Sequence, residues 1–241
     1  MNLPPDAAPA VSIVVATSTA GPRLRAVLER VCGPPGPLPM EVLVCVPRSH
    51  ADVAERVAAL FPGTRVVPVD NAGVSIPALY GAGLRAARGQ VVATTNDRFV
   101  PADGWRSAVC RLAGERGVVI AGTIEPPLRA TALERAVYFM EYGAFAPRQS
   151  TTPARGAAAA NACYSAEAVE RVLAHARPLP WEYFWHEQLA ANGVRFVRDA
   201  QLCVRMACRW TAGAAVRERY LYARGFAAER ARPLGLAARW L

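Results

Sequence analysis

The sequence contains no lysine, so all of its 28 basic residues are arginines. Against 19 acidic residues, these arginines give the 241-residue chain a formal net charge of +9 at pH 7. An excess of positive charge favours anionic partners, such as a nucleotide diphosphate or an anionic membrane surface. Nucleic acid would also match this charge, but no other feature of the chain indicates it, so we expect no nucleic-acid partner.

The chain also lacks paired cysteines of the CxxC type and histidines at metal-site spacing. It has six cysteines and three histidines: Cys32, Cys45, Cys110, Cys163, Cys203, Cys208, His50, His175 and His186. Several cysteines lie in apolar runs, where a free thiol behaves as a small hydrophobic side chain. We expect no signal peptide, and no apolar run approaches the roughly 18 residues of a membrane span. We therefore expect reduced thiols and a cytoplasmic protein.

Short apolar runs alternate with helical patterns through the first part of the chain. The run VSIVVA at 11–16 is typical of a strand buried on both faces of a parallel sheet. Similar strands are predicted at 41–46, 64–69 and 91–94, and helices at 22–31, 51–60 and 76–88. Gly89 is expected to cap the third helix. This alternation predicts an α/β fold with a mostly parallel central sheet flanked by helices.

The second half of the sequence is less regular, and no compositional change marks a linker. Helices are predicted at 105–113, 130–142, 181–192, 214–231 and 234–241, and strands at 117–124, 158–164, 194–197 and 202–206. Ser165 is expected to be the N-cap of a further helix, which Pro178 and Pro180 would end. The absence of a linker predicts one domain.

The segment VVATTNDRFVPADGW at 91–105 joins a buried strand directly to a carboxylate. We expect its first four residues to form the strand and residues 95–98 to form a turn. Asp97 would then lie at the carboxyl edge of the sheet, where open α/β sheets bind ligands. The alternative is that Asp97 only forms the turn before Pro101.

Several short motifs follow one another along the chain. They are VSIVVAT at 11–17, EVLVCVPRS at 41–49, GLRAARG at 83–89, TNDR at 95–98, EYGAF at 141–145, ANACY at 160–164 and LAANG at 189–193. Their order resembles that of the family 2 inverting glycosyltransferases, which have the GT-A fold. In one subgroup the acidic motif reads TEDH, and TNDR occupies the same positions. The Arg- and Tyr-rich segment at 217–230 is similar to the terminal helix of that subgroup.

This resemblance implies a single GT-A domain over residues 1–241, with a nucleotide-binding half at 11–104 and an acceptor half at 105–241. It implies transfer of a sugar, with inversion, from a nucleotide-diphosphate donor to the hydroxyl group of a small-molecule or lipid-linked acceptor. The leaving diphosphate needs positive charge from a divalent metal, Mg²⁺ or Mn²⁺, or from basic side chains. The acceptor hydroxyl needs a base.

Carried over by position, the resemblance makes Asp97 the metal ligand and assigns the donor site to Thr17, Asn96, Asp97 and Arg98. Arg98 stands where many members have another acid or a histidine. It is expected either to neutralise phosphate directly or to face solvent.

The same carry-over makes Glu182 the catalytic base. Its aromatic neighbours are Trp181, Tyr183, Phe184 and Trp185, and partial burial among them would raise its pKa towards a useful range. The alternative is a helix N-terminal glutamate favoured by the helix dipole. Acceptor contacts are predicted at Glu141, Tyr142, Trp181 and His186. The alternatives are core packing for the aromatic residues, an exposed Glu141 and a surface histidine at 186.

Several positions depart from the family pattern. The acid that reads the nucleobase is replaced by Val46 or Pro47, a usual arginine by Tyr80, and a late metal-binding histidine by Met206. These departures motivate a second hypothesis, a catalytically silent GT-A domain that binds a nucleotide or a partner. A nucleotidyltransferase is a third, but TSTAGP at 17–22 has one glycine and no basic residue for a phosphate loop.

The Arg-rich helix near the C-terminus admits three interpretations. At helical spacing Arg217 and Arg224 share one face, whereas Arg219 and Arg230 lie on roughly the opposite one, with Arg232 just beyond the helix. The helix is expected to present a solvated face, to clamp the donor phosphates, or to contact a membrane surface peripherally.

Overall fold

The computed structural model describes residues 8–34, 37–70, 75–147, 154, 156–175 and 182–231. The strands are β1 Val11–Ala16, β2 Met40–Pro47, β3 Thr64–Val69, β4 Val91–Asn96, β5 Phe99–Pro101, β6 Val118–Glu125, β7 Ala162–Ser165 and β8 Arg195–Met206. The helices are α1 Pro22–Val31, α2 Ala51–Leu60, α3 Ile76–Ala86, α4 Trp105–Arg111, α5 Ala132–Tyr142, α6 Ala166–His175, α7 Glu182–Ala191 and α8 Ala212–Ala231. Two 3₁₀ turns lie at Gly143–Phe145 and Ala159–Asn161.

The strands of this part of the chain form one sheet in the order β3-β2-β1-β4-β7-β6-β8-β5. The first four are parallel, as are β6 and β8, while β7 and β5 run antiparallel to their neighbours. The prediction of an α/β fold with a mostly parallel sheet is therefore confirmed. It succeeded because every residue of β1 is buried, as a strand covered by helices on both faces requires.

The two glycines that bound the segment GLRAARG, Gly83 and Gly89, lie where the backbone packs closely against β1. A Cβ atom on Gly83 would come within 2.2 Å of the Cγ1 atom of Val14, so only glycine lets α3 lie this close to β1. A Cβ on Gly89 would come within 2.5 Å of the backbone nitrogen of Ser12. The predicted capping role of Gly89 is wrong, because α3 ends at Ala86 and Ala87 is its C-cap.

Other sequence predictions are corrected where tertiary pairing extends or divides an element. β4 continues to Asn96, because its last residues pair with β1. The two late strands are one strand, β8, which has a bulge at Ala200, Gln201 and Leu202, opposite the step from Gly122 to Thr123 in β6. The strand predicted at 158–164 begins only at Ala162. Ser165 does accept a hydrogen bond from the backbone of Ala168, as its capping role predicts.

Two apolar clusters cover the two faces of the sheet, one including residues of α1, α2 and α4 and the other residues of α3, α6 and α7.

The six cysteines are free and five of them are buried. Burial raises the pKa of the Cys45 thiol to about 12, so it stays protonated and packs as an apolar group. Among the described residues, no helix is long and apolar enough to cross a membrane. The predicted helix at 234–241 and the two prolines at 178 and 180 lie outside the described residues.

Candidate functional site

The carboxyl ends of β1 and β4 meet at one edge of the sheet. Beyond β1, the hydroxyl group of Thr17 donates to the carbonyl of Thr19 and accepts from its backbone N–H, which closes a tight turn. This turn places the hydroxyl group of Thr19 at 2.7 Å from Oδ2 of Asp97, the residue directly after β4. Asp97 is only 6 % exposed. The predicted strand-to-carboxylate junction is thus present, with Thr17 shaping the loop opposite it.

The side chain of Asn96 organises the turn after β4. Its Nδ2 donates to the hydroxyl group of Tyr80 at 2.9 Å, and its Oδ1 accepts from the backbone N–H of Arg98 at 2.9 Å. Both Asn96 and Arg98 line a cavity of about 1270 Å³ beside the sheet edge. Within the described residues, Asp97 lies outside the cavity lining, because its carboxylate turns towards Thr19. The turn predicted after the strand is therefore present, with Asn96 and Arg98 at the cavity and Asp97 directed towards Thr19.

The cavity lies between the sheet edge and helices α5, α7 and α8, which contribute most of its wall. Its volume exceeds the 300–1000 Å³ that is usual for small-ligand sites, so it has room for an extended ligand. Charged side chains line it in equal numbers of each sign: Arg98, Arg198, Arg219, Arg224, Glu141, Glu182, Glu187 and Glu218.

Glu182 is the first residue of α7, and its side chain lines this cavity. Burial raises the pKa of its carboxyl group, while its own backbone N–H acts in the opposite direction. Four tyrosines near Glu182 have a raised pKa, and burial is the main cause for each of them. The negative charge of Glu182 raises the pKa of each further. They are Tyr80, Tyr142, Tyr164 and Tyr222. These four phenols, from three helices and a strand, form a polar but partly desolvated setting for the carboxylate.

The aromatic neighbours of Glu182 in sequence point in different directions. Trp181 lies outside the described residues, Tyr183 is 51 % exposed, and Trp185 is buried in the apolar core. Tyr183 lines the cavity with Glu182 whereas Trp185 does not, because consecutive helical residues point in different directions. The tyrosines that do approach Glu182 are distant in sequence, so no local pattern could have identified them.

His186 follows Glu182 by one helical turn and also lines the cavity. The surface position considered for it is wrong, since it is 5 % exposed and its Nε2 lies 3.0 Å from the hydroxyl group of Tyr164. Burial lowers the pKa of its imidazole to about 3, against a weaker opposing contact with the backbone of Ala157. The ring is therefore neutral at physiological pH and exchanges hydrogen bonds as a neutral group.

Glu141 and Tyr142 at the end of α5 also line the cavity. The side chain of Glu141 is only 5 % exposed, which corrects the alternative of an exposed carboxylate. Its Oε1 lies 2.9 Å from Nε of Arg219, close enough for an ion pair although the N–H does not point at the oxygen. The ring of Tyr142 packs edge to face against that of Phe99, with the ring centres 5.1 Å apart, so this part of the cavity wall packs on the core.

Helix α8 forms one side of the cavity, which the sequence did not establish. Its contributing residues are Glu218, Arg219, Leu221, Tyr222, Arg224, Gly225 and Ala228. Glu218 accepts a hydrogen bond of 3.1 Å from Nη2 of Arg98, whose guanidinium also lies 5.7 Å from the ring centre of Trp210. Arg98 is thus engaged with α8 rather than simply facing solvent. Arg232 lies outside the described residues.

The positions that depart from the family pattern serve packing. Val46 and Met206 are each 1 % exposed, and Met206 pairs with Phe99 between β8 and β5. Tyr80 is 2 % exposed and bonds to Asn96. A tyrosine here gives the sheet edge a neutral hydrogen-bonding group where an arginine would bring a charge.

A divalent cation could use the carboxylate of Asp97 at the sheet edge. Among the described residues, no group of three or more His, Cys, Asp or Glu side chains could enclose a metal ion. Asp97, with the Thr19 hydroxyl beside it, fits a hard cation that takes most of its ligands from diphosphate oxygens and water. The residues present therefore suit a cation that arrives with a phosphorylated ligand.

No protein-family model and no curated protein sequence matches the chain. Its fold is similar to that of a mannosyltransferase from Pyrobaculum calidifontis, solved in complex with GDP-Man and Mn²⁺, at 17 % identity and a TM-score of 0.59. That match covers 90 % of this chain and 62 % of the mannosyltransferase.

Two further solved structures are similar. GalNAc-T7, solved with UDP, GalNAc and Mn²⁺, matches at 11 % identity and a TM-score of 0.60, over 85 % of this chain and 45 % of its own. A mycobacterial protein matches at 18 % identity and a TM-score of 0.56, over 86 % and 70 %. The chain spans less than two thirds of the length of the first two structures. At these identities the likeness establishes the fold, which is the GT-A fold of glycosyltransferases.

Proposed function

We propose that the protein is an inverting glycosyltransferase that moves a sugar from a nucleotide-diphosphate donor to an acceptor hydroxyl group. The observation that carries this proposal is one cavity, at the carboxyl edge of a GT-A sheet, lined both by Glu182 and by the turn that holds Asn96 and Arg98. The mannosyltransferase and GalNAc-T7 were solved with GDP-Man and UDP respectively, and both with Mn²⁺, which supports a nucleotide-linked donor and a divalent metal.

In this mechanism Glu182 is the base. Its carboxylate takes the proton of the acceptor hydroxyl as the oxygen forms a bond to the anomeric carbon. The bond from that carbon to the diphosphate oxygen breaks on the opposite face, so configuration inverts and the diphosphate leaves with the electron pair. Burial raises the pKa of Glu182, which strengthens it as a base. The neutral His186 beside it bonds to Tyr164 and contacts the backbone of Ala157, so it would fix the wall of the acceptor site rather than bind the acceptor itself.

The donor is held by the sheet edge. Asn96 fixes the turn through Tyr80 and the Arg98 backbone, so the Arg98 guanidinium reaches the cavity from a rigid base. Asp97 would hold a divalent cation, which supplies positive charge to the leaving diphosphate when bound. Thr17 keeps the opposing loop closed. Glu141 and Tyr142 form the acceptor side of the wall.

For the acceptor, we propose a small-molecule or lipid-linked compound, with the protein in the cytoplasm and peripherally associated with membrane. Helix α8 exposes Val216 and Tyr220, at 70 and 64 %, near Arg217 and Arg224. Apolar side chains beside arginines favour the interface of an anionic membrane. Flotation with anionic and with neutral vesicles tests this, and equal recovery with both would contradict it.

The central experiment measures binding and transfer separately. Isothermal titration calorimetry with GDP, UDP and dTDP, with and without Mn²⁺, is expected to show binding of one nucleotide that Mn²⁺ strengthens. Glu182→Gln is expected to keep that binding and to lose transfer from the matching sugar nucleotide. Absence of binding to every nucleotide would instead indicate a silent GT-A domain, and undiminished turnover by the variant would remove Glu182 as the base.

A further inference from the structure

Two ion pairs join α8 to the cavity wall on adjacent residues of that helix. Glu218 bonds to Arg98 on the turn after β4, and Arg219 lies against Glu141 at the end of α5. All four side chains line the cavity. They connect three elements that are far apart in sequence, so we call them the α8 charge cluster.

The four groups of the α8 charge cluster act on one another. Burial raises the pKa of Glu141, and Arg219 and Arg98 both lower it while Glu218 raises it. The cluster holds two guanidinium and two carboxylate groups, so its formal charge is zero. A diphosphate that entered the unchanged cluster would meet two carboxylates as well as two guanidiniums, which reduces the attraction.

We propose that Arg98 and Arg219 together bind a diphosphate. In the absence of the anion, the carboxylate of Glu218 binds Arg98 in the place of a phosphate group, and the diphosphate displaces it. This inference deepens the proposed function, since it assigns the phosphate contacts and their regulation in the same site. Guanidinium groups bind phosphate and carboxylate oxygens through the same forked N–H geometry, so the two ligands compete directly.

The exposure of the two carboxylates decides which one is displaced. The side chain of Glu218 is 34 % exposed and can turn into water at small cost. The side chain of Glu141 is 5 % exposed, so it remains beside Arg219 and keeps that arginine positioned. Because Glu218 and Arg219 are adjacent on α8, a diphosphate bound by Arg98 and Arg219 would replace Glu218 as the link between α8 and the turn after β4.

Inorganic pyrophosphate in the presence of EDTA is the probe, because it reports the anion site without a nucleobase, a sugar or a metal. Calorimetry on the full chain is expected to show that Glu218→Gln binds pyrophosphate roughly three- to tenfold more tightly than wild type, since the competing carboxylate is gone. Arg98→Gln and Arg219→Gln are each expected to weaken binding by about tenfold or more.

Glu29→Gln is the matched control, since Glu29 pairs with Arg25 on the exposed face of α1, outside the cavity lining. It should leave pyrophosphate binding unchanged. Thermal melting confirms that each variant is folded, and Arg98→Lys, which keeps the charge, should retain part of the affinity if charge rather than folding is responsible.

Unchanged or weaker binding by Glu218→Gln, or absence of pyrophosphate binding by both wild type and this variant, would overturn the inference. The proposed function fails by a different result, namely no sugar transfer from any nucleotide donor. Tighter pyrophosphate binding by Glu218→Gln in a protein without transfer would support the anion site while contradicting the enzyme.

Discussion

The carboxylate of Asp97 accepts a 2.7 Å hydrogen bond from the hydroxyl group of Thr19, and this contact joins the loops that follow β1 and β4. Each residue comes from a different strand end, and the two strands are adjacent and parallel in the sheet. The contact occupies Oδ2 and places the carboxylate at the sheet edge rather than in the cavity wall. Any metal bound by Asp97 is therefore held at the margin of the cavity.

For Asp97→Asn, we expect Mn²⁺ to lose its effect on nucleotide affinity, because the amide keeps the shape but removes the charge that attracts a hard cation. The strengthening by Mn²⁺ should fall by about tenfold or more, measured by calorimetry with and without the metal. Asp103→Asn is the control, since the Asp103 side chain is 90 % exposed and pairs with Arg30 on α1. An undiminished Mn²⁺ effect in Asp97→Asn would exclude Asp97 as the ligand.

For Glu182→Gln, we expect transfer to fall by roughly a hundredfold or more while stability at neutral pH rises. Burial raises the pKa of Glu182, so the native state holds its proton more tightly than the unfolded chain does. As pH rises through the ordinary glutamate range, the native state binds more protons than the unfolded state, and stability falls. The stability of the glutamine variant should not decrease in this way, because its side chain does not titrate.

Thermal melting of wild type and Glu182→Gln between pH 4 and pH 8 measures the effect. Glu187→Gln is the matched control, because Glu187 lies on the same helix and is exposed. We expect the melting temperature of the wild type to drop more than that of Glu182→Gln as pH rises from 4 to 8. Equal drops in the two proteins would contradict a raised pKa of Glu182.

For His186, the expected pH dependence has the opposite sign and a different range. Burial lowers its pKa from 6.5 to about 3, so between these values the unfolded state binds a proton that the native state does not. Stability should therefore fall as pH drops from 6.5 towards 3. His186→Gln should reduce this loss, because glutamine keeps a hydrogen-bonding group for Tyr164 but does not titrate.

Melting temperatures over that pH range test the prediction, with His50→Gln as the control variant at the start of α2. Equal acid sensitivity of wild type and His186→Gln would show that the imidazole is protonated in the native state or contributes nothing.

Asn161 is expected to be important for folding rather than for catalysis. It is fully buried, and its Nδ2 donates to the carbonyls of Thr123 and Leu202 while its Oδ1 accepts from the indole of Trp105. Asn161→Ala would leave these three groups without this partner, so we expect a loss of about 3 kcal/mol or more in the free energy of unfolding. Urea denaturation measures this.

Asn192→Ala, at the exposed end of α7, should change that free energy by less than about 0.5 kcal/mol. A small effect of Asn161→Ala would mean that water replaces the lost amide. Asn161 belongs to the ANACY segment, whose role the sequence did not reveal.

The alternation of apolar runs and helical patterns determined the α/β fold, because strands covered on both faces and helices with one apolar face are local consequences of burial. Val11–Ala16, Pro22–Val31 and Ala51–Leu60 have the bounds that the sequence predicted. The sequence also predicted a helix that begins near Glu182 and a turn after the strand that precedes Asp97, because the start and end of a regular element leave local signals.

Only the tertiary structure decided which side chains meet. The contact between Arg98 and Glu218 spans 120 positions, and no periodicity relates them. Likewise, the burial of Glu141 and His186 depends on α8 and β7 lying against their helices, so their charge states could not be inferred from local sequence. Local patterns report whether a face is buried, whereas the partner across that face is set by how the whole chain packs.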